Sequence, residues 1–268
     1  MKHLYFFLIV SFCSSLLSCT NDDSFLAHDF ETQQNRALSI YTGNYNIYQI
    51  AKKVSLPSAS TTKLNSVITN CCNDYPVIKW LHNYAKDKKY NFSDVNITSK
   101  GMNGNPAAYD HSTKILSFLT SNAINNTTYP EEFIHMNQDN VYFGGIGTYE
   151  KTAMLNIEFE SKFIQDVIHA PYGTQLVGSG NKYYNSYINW VYSFNPTSSF
   201  PNFTAVESGY NNISWWQFAQ DFKESSPSPY KDYVMSNVLV AKLIDIIGNN
   251  FGKNTKNITL DKKKNSTI

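Results

Sequence analysis

The chain has 268 residues, of which 42% are hydrophobic and 16% are charged, and its formal net charge is +1. The apolar fraction is too high for a disordered chain, and the length suits one substantial domain or two small ones. The charge balance gives no reason to expect DNA or RNA as a partner, and four cysteines are too few for a disulfide-dense scaffold.

The N-terminus combines a basic start with a short apolar run at residues 4–10. That run is too short to cross a bilayer, which needs about 20 apolar residues, and it fits the hydrophobic region of a secretory signal. It leads into Leu16-Leu17-Ser18-Cys19, which resembles the lipobox of bacterial lipoproteins. The resemblance implies cleavage before Cys19 and lipidation of that cysteine; ordinary signal cleavage with an unmodified Cys19 is the alternative.

A polar stretch follows Cys19 and separates it from the body of the chain. Its first residues, Thr20-Asn21-Asp22-Asp23, resemble the surface-export signal of Bacteroidetes lipoproteins, and a plain polar linker is the alternative. We therefore expect an outer-membrane lipoprotein that faces either the cell surface or the periplasm, with the membrane as its partner through Cys19. The predicted segments are a signal peptide at residues 1–18, a lipidated tether at 19–35, one domain at 36–248 and a flexible polar tail at 249–268.

Hydrophobic spacing predicts a body that is α+β and mainly helical, with a small sheet. Residues 47–68 are ambiguous, because Pro57 and a Ser/Thr-rich stretch interrupt the pattern. A helix that begins near residue 77 is predicted to end at Lys88 and Lys89, which suit the negative end of the helix dipole. The later predicted elements are an alternating strand at 95–97, a strand at 114–119 after a turn at 110–112, and helices at 183–194, 215–222 and 233–247.

The sequence Pro-Glu-Glu-Phe-Ile-His at residues 130–135 carries the candidate chemistry. Pro130 suits the first turn of a helix, where its missing N–H costs nothing. On such a helix Glu131 and His135 are four residues apart and share a face, and Glu132 lies on the neighbouring edge. Taken alone, this pattern is also typical of an amphipathic helix whose acidic start suits the helix dipole.

The same helix resembles the H-E-x-x-H helix of zincin metallopeptidases, with Glu131 in place of the first histidine. Zincins place an edge strand before this helix, and residues 114–119 occupy that position. The gluzincin branch takes a third ligand from a glutamate on a following helix; 22 residues, 136–157, separate His135 from Glu158. Glu160 competes for that role. The pair of strings E-E-F-I-H and N-I-E-F-E-S-K also resembles uncharacterised zincin-like lipoproteins of Bacteroidetes.

The resemblance implies a zincin-like fold, with a small sheet and an edge strand beside an active-site helix. It implies Glu131, His135 and Glu158 as ligands of a divalent ion, with zinc as the expected cofactor, and Glu132 as the general base that activates the bound water. Gln138, one turn beyond His135, is expected to contact substrate or orient a ligand. The activity implied is metallopeptidase-type hydrolysis.

Two positions depart from the gluzincin pattern in a compatible way. The aspartate that follows the third ligand by four residues, and that hydrogen-bonds the first histidine, is Lys162 here, and the first histidine is Glu131. An anion therefore faces a cation, and we predict an ion pair between the two helices. Such a pair competes with a metal for Glu131, so the site is either a divalent-metal hydrolase or a degenerate relative in which lysine supplies the positive charge.

The aromatic residues of the C-terminal half suggest a different class of function. They could form a stacking platform for a glycan, which makes a non-enzymatic surface-binding lipoprotein with a protein or glycan ligand the alternative. Adjacent tryptophans on a helix point about 100° apart, however, so at most one of Trp215 and Trp216 would face a ligand. Core packing is the competing explanation for this group: Tyr183, Tyr184, Tyr187, Trp190, Trp215 and Trp216.

Overall fold

A computed structural model of the chain describes residues 45–170, 181–194, 196–225 and 230–252. These residues belong to one compact unit, Gly43–Ile268. They form a mixed α+β fold that is mainly helical, with one small sheet, as the sequence predicts. The predicted signal peptide and tether lie outside the described residues, as does most of the predicted tail. None of the described helices has the length and apolar character that a membrane span requires.

Eight α-helices lie in the described part of the chain. Several of them agree with the sequence-based expectation, including the helices predicted at 183–194 and 215–222. The helices are α1 (Ser58–Asp74), α2 (Pro76–Lys88), α3 (Thr128–Val141), α4 (Met154–His169), α5 (Tyr184–Tyr192), α6 (Phe203–Glu207), α7 (Trp215–Ser225) and α8 (Lys242–Asn250).

Helices α1 and α2 show how local sequence sets the helix ends. The ambiguous residues 47–68 contribute to α1, which follows Pro57 directly. Helix α2 begins with Pro76, whose fixed φ suits a first helical position, and it carries two lysines in its last turn. It ends at Lys89, which adopts a left-handed conformation with φ of 60°. The predicted helix at 77–89 is therefore confirmed.

The helix predicted at 233–247 is wrong over most of its length. Residues 233–241, which we call the strap, have no helical structure, and α8 begins only at Lys242. The backbone of the strap bonds to other elements instead: the Leu155 N–H donates to Val234 O at 3.1 Å. The Asn156 side chain exchanges two hydrogen bonds with the backbone of Ser236, at 2.8 and 2.9 Å. These long-range bonds replace the local bonds of a helix.

Three strands form the sheet: β1 (Asp94–Ile97), β2 (Ala107–Asp110) and β3 (Ile115–Phe118). Their order is β1-β3-β2, with β3 parallel to β1 and antiparallel to β2. The prediction that residues 114–119 form the edge strand is therefore wrong, because β3 is central and β2 is the edge that lies against α3. The cause is that β2, which was not predicted, precedes the predicted turn at 110–112 and pairs with β3; Asp110 Oδ1 accepts from the Ser112 N–H at 2.8 Å in that turn.

Helix α4 runs through the centre of the molecule and buries 13 of its 16 residues. Burial on nearly every side means that its polar side chains must find partners inside the protein. Its apolar side chains join the aromatic block: the Trp215 ring lies 4.6 Å from Phe159 and 5.2 Å from Phe163, centroid to centroid. Tyr187, Trp190 and Trp215 are each at most 2% exposed. These three residues form core and not an exposed stacking surface.

The buried position of Trp215 generates a stability prediction. Trp215→Ala empties a fully enclosed site, so the free energy of unfolding is expected to fall by about 3–5 kcal/mol. Trp216 is only partly buried, and Trp216→Ala is expected to cost less than about 2 kcal/mol. Urea unfolding followed by far-ultraviolet circular dichroism measures both losses. Equal losses for the two variants would contradict the assignment of Trp215 to the core.

Candidate functional site

Helices α3 and α4 pack side by side in antiparallel directions and bring the predicted site residues together. Glu131 faces Lys162 and, one turn further along, His135 faces Glu158. The arrangement arises because residues four apart share one face of each helix. The five side chains that meet between the helices and the sheet edge are called the polar cluster below: Glu131, Glu132, His135, Glu158 and Lys162.

Glu131 and Lys162 form a hydrogen-bonded ion pair, as predicted from the sequence. Only 21% of the Glu131 side chain and 11% of the Lys162 side chain are exposed. Burial opposes ionisation of Glu131, but the Lys162 ammonium outweighs it and lowers the pKa of Glu131. Burial likewise disfavours the Lys162 ammonium, and Glu131 more than compensates by raising the pKa of Lys162. Both groups are therefore charged at neutral pH.

Glu132 lies against the edge strand of the sheet. Its Oε2 accepts a hydrogen bond from the Tyr109 N–H of β2 at 2.6 Å. That N–H points away from β3, so the carboxyl group satisfies an edge donor that would otherwise lack a partner. The side chain is 9% exposed, and burial raises the pKa of Glu132 to about 7.

The surroundings of His135 fix its proton on Nδ1. The Gln138 amide group donates from Nε2 to Ile157 O at 2.9 Å and to Glu160 Oε2 at 2.8 Å. Its Oε1 is therefore an acceptor, and it lies 2.8 Å from His135 Nδ1, which must donate to it. The predicted role of Gln138 in orienting a site residue agrees with this geometry.

The other nitrogen of His135 faces an acidic neighbour. His135 Nε2 lies 3.7 Å from Glu158 Oε2. Burial disfavours the imidazolium, but the carboxylates of Glu158 and Glu132 outweigh it and raise the pKa of His135. Burial also raises the pKa of Glu158, and His135 acts against that rise. A proton on Nε2 makes the contact attractive, so Glu158 favours the imidazolium form of His135.

Glu160, the alternative third ligand, lies outside the polar cluster. Its Oε1 accepts hydrogen bonds from the Leu243 and Ile244 N–H groups at 2.7 and 3.0 Å. These amides lie in the first turn of α8, where backbone N–H groups have no partner within the helix. Its Oε2 accepts from Gln138 and from the Tyr142 hydroxyl, both at 2.8 Å. Glu160 therefore anchors the C-terminal helix, and Glu158 is the residue that faces His135.

Sequence reasoning missed three tyrosines near the cluster. Tyr109 contributes through its backbone, which no side-chain pattern reveals. Tyr230, which precedes the strap, and Tyr233, its first residue, lie close to the cluster. Burial raises the pKa of Tyr230, with the Lys162 ammonium acting against the rise, and the pKa of Tyr233 is raised by burial and by Glu158. Because the strap was predicted to be helical, its approach to the cluster had no signal in the sequence.

The predicted zinc ligands do not fit a zinc ion in this arrangement. Within the described residues, no group of three or more His, Cys, Asp or Glu side chains is placed to hold a metal ion. A catalytic zinc site needs three protein ligands that converge on one point. Here Lys162 holds Glu131 and the Tyr109 N–H holds Glu132, which leaves only His135 and Glu158 of the cluster facing each other.

A polar pocket of about 440 Å³ lies between the β2–β3 turn and the loop after α3. Its floor includes Asp139, which accepts from the Ile146 N–H and the Tyr109 hydroxyl, both at 2.9 Å. At its rim, His111 Nε2 lies 2.8 Å from Glu150 Oε1. Tyr109 therefore bonds to Glu132 of the cluster through its backbone and to Asp139 of the pocket through its side chain.

Comparison with known proteins gives no match: no family model, no curated protein and no solved structure matches the chain. The class that the fold and site define is a mainly helical α+β domain with a charged cluster buried between two central helices and a sheet edge.

The raised pKa of Glu132 predicts how stability depends on pH. The folded chain keeps a proton on Glu132 up to about pH 7, whereas the unfolded chain releases it near 4.5, so stability falls as the pH rises between these values. Glu132→Gln keeps an acceptor for the Tyr109 N–H but does not titrate. We compare the free energies of unfolding of Glu132→Gln and of the native chain. From about pH 5 to about pH 8 the difference is expected to shift by about 2 kcal/mol in favour of the variant. Urea unfolding at both pH values tests this, and a difference that does not change with pH would contradict it.

Proposed function

We propose that the protein is a bacterial envelope lipoprotein with a zincin-like scaffold that has lost its metal and acts as a binding protein. The observation that carries this proposal is the ion pair between Glu131 and Lys162. In the proposed ancestry Glu131 occupies the position of the first metal ligand, and the lysine ammonium supplies the positive charge that a metal would otherwise bring.

The arrangement of the elements supports the scaffold. A sheet edge, β2, lies against the helix that carries Glu131, Glu132 and His135. The following helix, α4, presents Glu158 to His135. The zincin resemblance implies an edge strand beside the helix and a glutamate on the following helix, although the edge strand is β2 and not the predicted residues 114–119.

The charge balance of the cluster supports the loss of the metal. The cluster holds two acids, Glu131 and Glu158, that face two bases, Lys162 and His135, and a fifth side chain, Glu132, that burial keeps protonated up to about pH 7. A buried set of charges is tolerable only when it is paired and hydrogen-bonded. This set is balanced by its own side chains.

The class of ligand follows from the aromatic residues. Tyr187, Trp190 and Trp215 are buried and cannot stack on a sugar. A protein or peptide ligand therefore fits better than a glycan. The location rests on the N-terminal sequence: lipidated Cys19 anchors the chain in the outer membrane, facing the cell surface if residues 20–23 are an export signal and the periplasm if they are a plain linker.

A metal-dependent hydrolase is the second candidate. It is favoured by the approach of His135 Nε2 to Glu158 Oε2 and by the pKa of Glu132, which at about 7 suits a general base. It requires Glu131 to give up Lys162, its hydrogen-bonded partner.

Metal content separates the two candidates. The body of the chain, produced from Thr20 onward and so without the lipidated Cys19, is expected to contain far less than one zinc per chain by elemental mass spectrometry, even after purification with added zinc. Glu131→His together with Lys162→Asp restores the gluzincin residue types and is expected to gain about one zinc per chain. Adding Glu158→Gln should remove it again.

The control is Glu131→Gln with Lys162→Met, which removes both charges without restoring a ligand and is expected to stay free of zinc. Circular dichroism establishes that each variant folds. About one zinc in the native chain, lost in the single variant Glu158→Gln, would overturn the proposal in favour of the hydrolase.

A further inference from the structure

Four exposed apolar side chains gather at one end of the described molecule. Phe143 is 93% exposed, Val238 is 87% exposed, and Val234 and Val240 are each 44% exposed. Phe143 follows the C-terminus of α3, and the three valines belong to the strap. We call these four residues the apolar patch.

Hydrogen bonds and contacts join the two segments that carry the patch. Tyr142 precedes Phe143 in the chain. Its hydroxyl oxygen lies 3.3 Å from Val240 O and accepts from the Lys242 N–H at 3.0 Å. Val234 is fixed to the first turn of α4 through its carbonyl group. Since α3 and α4 are antiparallel, the end of α3 and the start of α4 lie together, and these bonds bring the strap to the same end of the molecule.

The exposure of the patch comes from anchored backbone. Leu239, between two patch valines, packs onto the small core cluster of Tyr142, Ile146 and Ile157. After Phe143 the chain turns through Gly144 and Gly145, with φ of 76° and 81°, a region that favours glycine. Beneath the strap, Tyr142 is bonded to Glu160, the anchor of α8. The fold therefore holds these side chains outward.

The segments that carry the patch have no net charge. Residues 139–155 and 230–242 contain three lysines and three acidic residues: Lys151, Lys231, Lys242, Asp139, Glu150 and Asp232. An apolar surface with balanced charges suits a neutral apolar partner, and its attraction should depend little on salt.

The size of the patch favours lipid over protein. Four side chains of these kinds expose on the order of 400 Å², about half of the roughly 800 Å² that each partner contributes to a stable protein interface. A bilayer needs no matching surface and receives apolar side chains at its interface. Between Cys19 and Tyr45 there are 25 residues, 20–44, which can span at most about 90 Å. A lipid on Cys19 would keep the body within reach of the membrane.

We infer that the apolar patch is a membrane-contact surface, with Phe143 and Val238 inserted at the lipid interface and the body oriented with the start of α4 toward the bilayer. The inference rests on the proposed lipid anchor for its biological setting and is independent of whether the cluster binds metal.

Fluorescence of a polarity-sensitive probe tests the contact. The body produced from Thr20 onward lacks Cys19, and its two cysteines, Cys71 and Cys72, are buried, so a single introduced cysteine can be labelled. Asn237→Cys places the probe beside Val238 without removing a patch residue. Thr204→Cys places it at an exposed position of α6 as the control. An N-terminal His tag holds each chain on phosphatidylcholine vesicles that contain a nickel-chelating lipid.

The probe at residue 237 is expected to brighten at least about twofold on vesicles and to be quenched by lipids with nitroxide-labelled acyl chains, as for groups that enter the interface. The probe at residue 204 should not respond. Phe143→Ser with Val238→Ser should abolish the response at 237, and added salt should not.

Equal responses at the two positions, or a response at 237 that survives Phe143→Ser with Val238→Ser, would overturn the inference. The chelating lipid replaces the natural anchor, so the result does not depend on lipidation of Cys19. Failure of the contact surface is thus distinguishable from failure of the proposed anchor.

Discussion

Burial of ionisable side chains between α3 and α4 is the constraint on which the rest of the site depends. Removing a charge from water costs several kcal/mol unless a partner compensates for it. Helix α4 is buried on nearly every side, so its acids and its lysine must be paired inside the protein. The ion pair of Glu131 and Lys162 meets this requirement and also decides what Glu131 can do. A carboxylate bound to an ammonium is a poor candidate for a metal ligand.

The same constraint links the cluster to the C-terminal part of the chain. His135 bonds to Gln138, Gln138 bonds to Glu160, and Glu160 binds the first amides of α8. The proton on His135 Nδ1 is therefore held by the Gln138 side-chain oxygen, and the orientation of that amide group is fixed by Ile157 and Glu160 of α4. Glu160 serves the fold, while Glu158, two residues earlier, faces the cluster. Two glutamates on one helix thus have different roles because successive residues point to different sides.

The sequence predicted the Glu131–Lys162 ion pair and most of the helices, but not the order of the strands. The Glu131–Lys162 pair followed from two substitutions at corresponding positions of a motif, and the helices with clear apolar spacing are present. The strap at 233–241 was missed because its structure depends on Asn156 and other groups distant in the chain. The edge strand was wrong because no strand was predicted before the turn at 110–112, where β2 pairs with β3 and takes the edge position. Both errors concern pairing between segments, which local spacing does not encode.

The central claim is that the charges of Glu131 and Lys162 stabilise each other in the folded chain. A double-mutant cycle with Glu131→Gln, Lys162→Met and the two combined, measured by urea unfolding at neutral pH, tests this most directly. Each single change is expected to cost about 3 kcal/mol, because it leaves a buried charge without its partner, and the combined change should cost at least about 2 kcal/mol less than the two losses together. Losses that add within about 0.5 kcal/mol would show that the two charges are independent, which would contradict the proposal that lysine has taken over the role of the metal.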